Sequence, residues 1–258
     1  MIDFNDVSKL LGGRDILNHA SMRVNKGEKI GVVGPNGSGK TTVFSLIAGD
    51  ISPDHGEIVV PEKARIGLLR QQLSFFKESE VLLDFVKKAS GELPAIQKRI
   101  DETLQILQGN PSCESALKEL GHLQSIFEHL GGYDIEHRAA AALAGLGFQE
   151  SDLAKSMGDF SGGWQMRACM ARVLLGEPDI LLLDEPSNYL DIPAVEWLQR
   201  RLKSFEGTLL LISHDRFLLN SLTNITMEIN GGKITRYPGN YNFYVKEREN
   251  RYLLARAA

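Results

Sequence analysis

The chain has 258 residues, which is enough to bury a large core in one α/β domain or in two small domains. Its formal net charge of -4 at pH 7 is mildly acidic, so the molecule as a whole is not an obvious binder of polyanions. Hydrophobic residues make up 43% and charged residues 24% of the sequence, as in an ordinary soluble globular protein, and no apolar run approaches the about 20 residues that cross a membrane.

The cysteines and the N-terminus indicate the compartment. Cys113 and Cys169 have neither metal-ligand nor redox spacing, which suits a reducing compartment, and Cys169 is predicted to be a small buried residue. Residues 1–6 lack the basic and apolar regions of a signal peptide. We therefore expect a cytoplasmic protein that does not insert into a membrane.

Residues 1 to about 70 are predicted to form short strands separated by turns, with one helix. Alternating apolar residues and short apolar runs favour strands at 2–4, 21–24, 29–33, 57–60 and 65–69. Residues 42–48 have a helix-compatible composition, and Gly49 ends that run.

From about residue 80 to 150 the sequence has helical spacing. Two apolar stripes predict two helices: Ile96, Ile100, Leu104 and Leu107 in the first, and Leu117, Leu120, Leu123 and Phe127 in the second. The turn residues at 109–111 stand between the stripes and favour an αα-hairpin.

After residue 160 the alternation of strands and helices returns. The apolar runs 180–183 and 209–212 are typical of strands that are buried on both faces. Further strands are predicted at 226–229 and 233–236, and the chain is helical in pattern and basic from Tyr244 onward.

A phosphate-binding loop of pattern G-x-x-x-x-G-K-T lies between the predicted strand 29–33 and the predicted helix. Its residues are Gly34, Pro35, Asn36, Gly37, Ser38, Gly39, Lys40 and Thr41, and the nucleotide-binding set extends to Thr42. The glycines let successive N–H groups point at phosphate oxygens, and the helix adds the positive end of its dipole. Lys40 is predicted to reach the β- and γ-phosphates, and the Thr41 hydroxyl to ligate Mg²⁺. A chance glycine-rich turn is the competing interpretation, which the flanking strand and helix disfavour.

Two carboxylates, Asp184 and Glu185, end the apolar strand that begins at Ile180. Ligands of open α/β sheets bind at the carboxyl ends of the strands. We therefore expect Asp184 to hold Mg²⁺ and Glu185 to polarise a water for in-line attack on a γ-phosphate. The alternative is a strand that ends in solvated acids.

Three further segments can contribute to the same chemistry. Ser161, before Gly162 and Gly163, is a suitable N-cap for a helix whose first N–H groups would form a second anion site. His214 follows a buried strand and can hydrogen-bond a γ-phosphate, although a lone histidine more often makes a structural hydrogen bond. Gln71 could bridge Mg²⁺ and the attacking water, and the adjacent Gln72 keeps that assignment open.

Taken in order, these segments resemble an ATP-binding cassette domain. Residues 34–41 are similar to its Walker A loop, Gln71 to the Q-loop, residues 161–163 to the signature, residues 180–185 to the Walker B strand, Asp191 to the D-loop and His214 to the switch histidine. The resemblance implies a P-loop α/β fold with a mixed core sheet, an antiparallel β subdomain and a helical subdomain that carries an αα-hairpin arm. It also implies ATP and Mg²⁺ as cofactors, with Asp191 among the nucleotide-site residues.

Finer features resemble the ABC-F branch, whose soluble ATPases act on ribosomes. The signature continues as Trp164-Gln165-Met166-Arg167 and is similar to the SGGW-x-MR variant of that branch. Residues 194–198 resemble its I-E-W-L run, residues 130–134 with 145–148 resemble the end of its arm, and residues 237–244 resemble its Y-x-G-N-Y-x-x-Y segment. The expected organisation is one cassette over residues 1–243 with the arm at about 80–135, followed at 244–258 by the start of a basic interdomain linker.

Three features depart from that branch. ABC-F proteins carry two cassettes, so the second cassette is expected to be either a missing C-terminal half or another copy of this chain. Leu11 stands where an aromatic residue usually stacks on adenine. Between residues 93 and 130, three basic side chains stand against five acidic ones, so the arm has a net charge of -2, whereas an RNA-contacting arm is expected to be basic. A purely structural hairpin is therefore an alternative for the arm.

The resemblance implies that two cassettes face head to tail, so that the signature of one covers the ATP held by Lys40 of the other. The leading hypothesis is an ABC-F ATPase that acts on the ribosome, as a translation factor or in protection from antibiotics. The alternatives are the ATPase subunit of a membrane ABC transporter and a nucleotide-dependent interaction module with negligible turnover.

Overall fold

The computed structural model describes residues 1–71 and 77–257, which form two compact units. The first unit contains residues 1–71 and 177–257, and the second contains residues 77–176. Gln72, the alternative to Gln71 in the sequence, lies outside the described residues. The second unit includes the predicted arm region but extends beyond residue 135 through the helix that follows the signature.

The first unit is built from strands and four helices in its described residues. The strands are β1 (Ile2–Leu11), β2 (Arg14–Val24), β3 (Lys29–Val33), β4 (His55–Val59), β5 (Ile66–Leu69), β6 (Ile180–Asp184), β7 (Thr208–Ile212), β8 (Ile225–Asn230) and β9 (Lys233–Tyr237). The helices are α1 (Lys40–Ile47), α7 (Ile192–Lys203), α8 (Arg216–Leu222) and α9 (Tyr241–Ala257), with a 3₁₀ turn at Pro186–Tyr189.

The second unit consists mainly of helices in its described residues, with one isolated β-bridge between Val81 and Ser156. Its α-helices are α2 (Leu82–Lys87), α3 (Leu93–Gly109), α4 (Glu114–His129), α5 (Ile135–Gly145) and α6 (Gly162–Leu175). Short 3₁₀ helices lie at Lys88–Ser90, Gly132–Asp134, Glu150–Asp152 and Met157–Asp159.

The central sheet of the first unit has the strand order β5-β6-β7-β3-β8-β9, in which only the pairing of β9 with β8 is antiparallel. Strands β6 and β7 are buried along their whole length, as their continuous apolar runs predicted. The mixed sheet confirms the predicted fold class.

A second sheet of order β2-β1-β4 is antiparallel and confirms the predicted β subdomain. Strands β1 and β2 are much longer than the short segments that the sequence predicted at residues 2–4 and 21–24. The register of β1 against β2 shifts at several points, and Asp6 and His19 have positive φ values of 53° and 49°. Such bulges interrupt the two-residue alternation on which strand prediction depends, so the continuation of both strands was missed.

The core of the first unit packs between its two sheets and α1. Phe4 and Leu17 come from the antiparallel sheet, Phe44 from α1, and Leu182 and Leu210 from the central sheet, and each is at most 1% exposed. Burial of each such side chain stabilises the fold by about 1.5–3 kcal/mol. This core fixes the start of α1 relative to the ends of the central strands.

The αα-hairpin of the second unit is formed by α3 and α4, as the sequence predicted, and an ion pair between Arg99 and Glu119 joins the two helices. The predicted apolar stripes need correction. Leu104 is 40% and Leu117 is 49% exposed, whereas Thr103 and Ala116 are buried. Near the turn of the hairpin, the buried position in each helix is therefore one residue earlier than the predicted one: Thr103 in place of Leu104, and Ala116 in place of Leu117.

Helix α9 begins at Tyr241, three residues before the predicted linker start, and its first turn belongs to the core. Tyr244 is 5% exposed, and its hydroxyl donates to Glu228 Oε1 at 3.0 Å. The hydroxyl of Tyr237 donates to Glu228 Oε2 at 3.1 Å. Burial and the Glu228 carboxylate raise the pKa of Tyr244, so both phenols remain hydrogen-bond donors. In the described part of the chain, no helix combines the length and the apolar character that a membrane span requires.

Candidate functional site

The candidate site lies at the carboxyl edge of the central sheet. Register pairs Val32 of β3 and Asp184 of β6 with the same residue, Ile212 of β7. The segments that follow these strands therefore leave the sheet at one edge: the phosphate-binding loop, Glu185 and His214. Gln71 follows β5, the neighbour of β6, at the same edge. This edge is where open parallel sheets bind ligands.

The phosphate-binding loop ends at α1, whose N-cap is Gly39 in a left-handed conformation with φ of 98°. Lys40 is half-buried, and its Nζ donates to the carbonyl oxygens of Gly34 at 2.9 Å and Pro35 at 3.0 Å. Burial lowers the pKa of Lys40, and the carboxylates of Glu185 and Asp184 act in the opposite direction. The ammonium group therefore lies within the loop that it is predicted to complete.

Two of the loop glycines are required by close contacts. A Cβ on Gly34 would collide with the carbonyl oxygen of Ile229, and a Cβ on Gly39 would collide with Cγ2 of Ile16. Gly37 also has a positive φ of 76°, but a Cβ there would meet nothing within 4 Å. The sequence identified all three glycines, whereas Ile16 and Ile229 come from other strands and only the fold brings them to the loop.

These contacts predict that Gly34→Ala is more destabilising than Gly37→Ala. Each change costs about 1–2 kcal/mol for a Cβ at positive φ. Gly34→Ala adds a backbone collision worth about 1–3 kcal/mol. The guanidinium unfolding midpoint of the Gly34 variant should therefore fall well below that of the Gly37 variant. Equal midpoints would show that the contact between the loop and β8 does not constrain the fold.

Thr41 and Asp184 form the most direct contact in the site. The Thr41 hydroxyl donates to Asp184 Oδ2 at 2.6 Å, across 143 residues of sequence. Burial raises the pKa of Asp184, while the Thr41 hydrogen bond and the Lys40 charge act to lower it. Two oxygen atoms side by side, one of them a carboxylate, are the donor set that Mg²⁺ prefers.

Glu185 is buried, with 6% exposure, and has a left-handed backbone with φ of 51° and ψ of 53°. Its Oε2 accepts from the backbone N–H of His214 at 3.1 Å, whereas its Oε1 makes no hydrogen bond and lies 3.4 Å from Nε2 of His214. Strained backbone and an unsatisfied buried oxygen each cost free energy and concentrate at functional sites. The carboxylate is therefore held in place with one oxygen available.

The other predicted site residues make fewer contacts with the phosphate-binding loop and the two carboxylates. Gln71 and His214 are exposed at the strand ends, which leaves both side chains accessible. Asp191 is the N-cap of α7 and accepts from the N–H of Ala194 at 3.1 Å, which gives it a structural role. Leu11 lies at the end of β1 and is 51% exposed.

The signature segment lies in the second unit. Ser161 is the N-cap residue of α6 by position, as predicted, but its side chain makes no capping hydrogen bond. Ser161 and Gly162 are exposed, so this helix end is accessible to an anion.

The residues that distinguish the ABC-F variant of the signature have a packing role. The guanidinium of Arg167 lies 4.5 Å from the ring centroid of Trp164 and donates to the carbonyl oxygen of Leu146 at 2.9 Å. The ring of Trp164 makes an edge contact with Phe148, with centroids 4.9 Å apart. Both side chains thus tie the loop after α5 to α6, a role that the linear motif did not indicate.

Sequence reasoning missed the contribution of α9 to this region. A cavity of about 680 Å³ is lined by Lys40 and His214 together with Tyr241, Tyr244 and Arg248 of α9. Tyr244 and Arg248 were predicted to lie at the start of a linker, although the spacing of Tyr241, Tyr244 and Arg248 places them on one face of a helix. Only the fold shows that this face borders the phosphate-binding loop.

Comparison with known proteins defines the class. Residues 17–188 match the family model described as "ABC transporter", so the chain belongs to the ABC family of ATP-binding cassettes. Solved structures agree on the fold. "Structure of ATP binding subunit of ABC transporter" matches with a TM-score of 0.68 at 17% identity and covers 92% of this chain and 90% of that one. A dimeric bacterial ABC transporter cassette matches with a TM-score of 0.66 at 21% identity, covering 92% and 98%.

Curated relatives narrow the class. "Uncharacterized ABC transporter ATP-binding protein YfmM" of Bacillus subtilis is 34% identical over 95% of this chain and 48% of its own length. "Probable ATP-binding protein YheS" of Haemophilus influenzae is 34% identical over 96% and 37%. "Energy-dependent translational throttle protein EttA" of Mycobacterium tuberculosis is 31% identical over 95% and 43%. Such relatives are ABC-F type proteins, which confirms the resemblance to that branch. The chain spans less than half of the length of each of these three relatives.

Proposed function

We propose that this cassette binds and hydrolyses ATP, and that ATP controls its pairing with a second cassette in an ABC-F type protein acting in translation. One observation carries the ATPase proposal. One edge of the sheet brings together Lys40, the Thr41–Asp184 pair and the buried Glu185. Phosphoryl transfer needs these three groups: a cation for the phosphates, oxygen ligands for Mg²⁺ and a base for the attacking water.

Binding begins at the phosphate-binding loop. The N–H groups at the start of α1 and the Lys40 ammonium face the triphosphate, and Lys40 exchanges its contacts with two loop carbonyls for phosphate oxygens. Thr41 and Asp184 would hold Mg²⁺, because the donor set fits a hard cation. Mg²⁺ supplies neutralisation of the charge that develops on the phosphate oxygens.

Glu185 would orient and deprotonate the attacking water. Its Oε2 is held by the His214 amide, so that Oε1, which makes no hydrogen bond, can accept a proton from water. The exposed His214 side chain would contact the γ-phosphate, and Gln71 would position the water and Mg²⁺. In this scheme the loss of the γ-phosphate removes a contact of His214, and this changes the interactions of the segment between β7 and α8.

Pairing would complete the site. The accessible start of α6, with residues 161–163, would cover the triphosphate bound by a partner cassette, and the D-loop residue Asp191 would lie at the same interface. Contacts that form only with ATP shift the population toward the closed pair, and hydrolysis reverses the shift. The partner would be a second cassette of a longer protein or a second copy of this chain.

A role in translation is supported by the curated relatives and by the Trp164–Arg167 arrangement of the signature. The translational role belongs by name to the relative EttA, and its extension to this chain is part of the proposal. This role would place the protein in the cytoplasm with ribosomes, and ribosomal RNA would be the surface contacted. The acidic arm favours protein contacts or internal packing over RNA contacts for α3 and α4.

Co-sedimentation with ribosomes tests this proposal. A Glu185→Gln variant should pellet with ribosomes several-fold more in ATP than without nucleotide, because the closed pair cannot be released by hydrolysis. The matched control adds Lys40→Ala to the same variant and should remove the ATP dependence. Absence of ribosome binding by an ATP-binding variant would favour the transporter-subunit alternative.

A further inference from the structure

Three metal-ligating side chains meet on the antiparallel sheet. His19 Nδ1 lies 2.9 Å from Asp6 Oδ1, and His55 Nε2 lies 3.2 Å from Asp6 Oδ2. One ligand atom of each residue lies within 4.8 Å of the others. Among the described residues, this is the one group of three or more His, Cys, Asp or Glu that could hold a metal ion.

Two of the three ligand residues have a strained backbone conformation. Asp6 and His19 both have positive φ, which costs about 1–2 kcal/mol for each residue with a Cβ. Each strained N–H is satisfied by a serine on the opposite strand: Asp6 N donates to Ser21 Oγ at 3.0 Å and His19 N donates to Ser8 Oγ at 2.9 Å. The reciprocal bonds stabilise a specific pair of bulges rather than a frayed edge.

The third ligand is positioned by the neighbouring strand. Gly56, next to His55, has φ of 78°, and a Cβ there would collide with the carbonyl oxygens of Asn5 and Asp6. Strand β4 therefore approaches the bulge of β1 as closely as glycine permits. The three ligands come from three strands, β1, β2 and β4, and strained backbone held in this way is a recognised mark of function.

The distances suit a small transition-metal ion. Zinc bonds imidazole nitrogen and carboxylate oxygen at about 2.0–2.2 Å, which sets neighbouring tetrahedral ligands about 3.3–3.6 Å apart. The two nitrogen–oxygen separations, 2.9 Å to Oδ1 and 3.2 Å to Oδ2 of Asp6, are slightly shorter than that value and place one carboxylate oxygen beside each imidazole. The side chains are 58–63% exposed, so an ion and its water can enter. The nearby Lys9 ammonium is paired with Asp54 at 2.7 Å, which limits its repulsion of a cation.

We propose that Asp6, His19 and His55 form a binding site for a divalent transition-metal ion of the zinc class, with water in the fourth position. Two imidazoles and one carboxylate exclude Mg²⁺ and Ca²⁺ as preferred ions, because those ions select oxygen ligands. The site is separate from the residues proposed to hold Mg²⁺ at the nucleotide, and it does not depend on the ATPase proposal.

Calorimetric titration of the full chain with Zn²⁺ tests the site, using metal-stripped protein without a polyhistidine tag at about pH 7.5, where imidazoles can ligate. The parent should bind one Zn²⁺. Each of the variants Asp6→Asn, His19→Asn and His55→Gln should bind Zn²⁺ roughly tenfold or more weakly. Replacing even a residue that only hydrogen-bonds to a metal ligand lowers metal affinity by about that factor. Asparagine is chosen at positions 6 and 19 because it tolerates positive φ.

The exposed His122 on α4 supplies the matched control, and His122→Asn should bind Zn²⁺ as the parent does. A readout without mutation is the imidazole NMR spectrum, in which two of the six histidines should shift with Zn²⁺. The proposal is overturned if the parent binds no Zn²⁺, if the three ligand variants bind it unchanged, or if His122→Asn is equally impaired. The first two outcomes would leave a hydrogen-bonded triad without metal affinity, and the third would show that the loss of Zn²⁺ binding is not specific to the triad.

Discussion

We expect Lys40→Ala to weaken ATP binding by at least about 100-fold, because each lost charge-assisted hydrogen bond to a phosphate is worth about 1.5–3 kcal/mol. In the structure the Lys40 ammonium is half-buried and lies against the carbonyl oxygens of its own loop, where it can reach phosphates that the loop binds. Equilibrium titration with a fluorescent ATP analogue measures the effect.

Lys26→Ala is the matched control, because Lys26 is exposed and its replacement removes the same charge. It should bind ATP as the parent does. Both variants should unfold at similar denaturant concentrations without nucleotide, which separates lost binding from lost folding. If Lys40→Ala bound ATP with the affinity of the parent, the phosphate-binding role of the loop would be wrong.

Glu185→Gln should reduce steady-state phosphate release by about 10²–10⁴-fold, the usual contribution of a positioned general base. The amide keeps the size of the side chain and can still accept from the His214 N–H, so ATP affinity should change little. In the presence of ATP the variant should also form a pair that is seen as a shift in sedimentation velocity. The pair should be absent with ADP.

Glu206→Gln controls for the loss of a carboxylate, because Glu206 is exposed in the loop before β7. Its turnover should match that of the parent. Undiminished phosphate release by Glu185→Gln would remove Glu185 from the chemical step and leave His214 or Gln71 to be tested in its place. Parent turnover is expected to be slow, because one cassette can pair only with a copy of itself or with an added partner.

Much of the site could be predicted from the sequence because its chemistry depends on local geometry. The phosphate-binding loop needs glycines, one lysine and one hydroxyl at fixed spacing between a strand and a helix, and these features are contiguous. The buried strands β6 and β7 could also be predicted, since four or more consecutive apolar residues with turns on both sides leave few alternatives. The carboxylates at the end of β6 followed directly from that assignment.

The full length of the bulged strands and the buried faces of the hairpin helices could not be predicted from the sequence. Strands β1 and β2 depart from two-residue alternation where Asp6 and His19 take positive φ, and the compensating serine bonds are non-local. In α3 and α4, the sequence could not show which apolar residues face the partner helix, because Thr103 and Ala116 are buried while Leu104 and Leu117 are exposed. Such choices depend on the crossing geometry of the two helices.

The sequence by itself determined the class of chemistry, because catalytic residue types recur at fixed local spacing along the chain. Only the tertiary structure decided which distant residues meet: Thr41 with Asp184, Glu185 with the His214 amide, Tyr244 with Glu228, and Asp6 with two histidines. The physical reason is that these contacts depend on strand order and register, which are set by the packing of the whole core and not by any single segment.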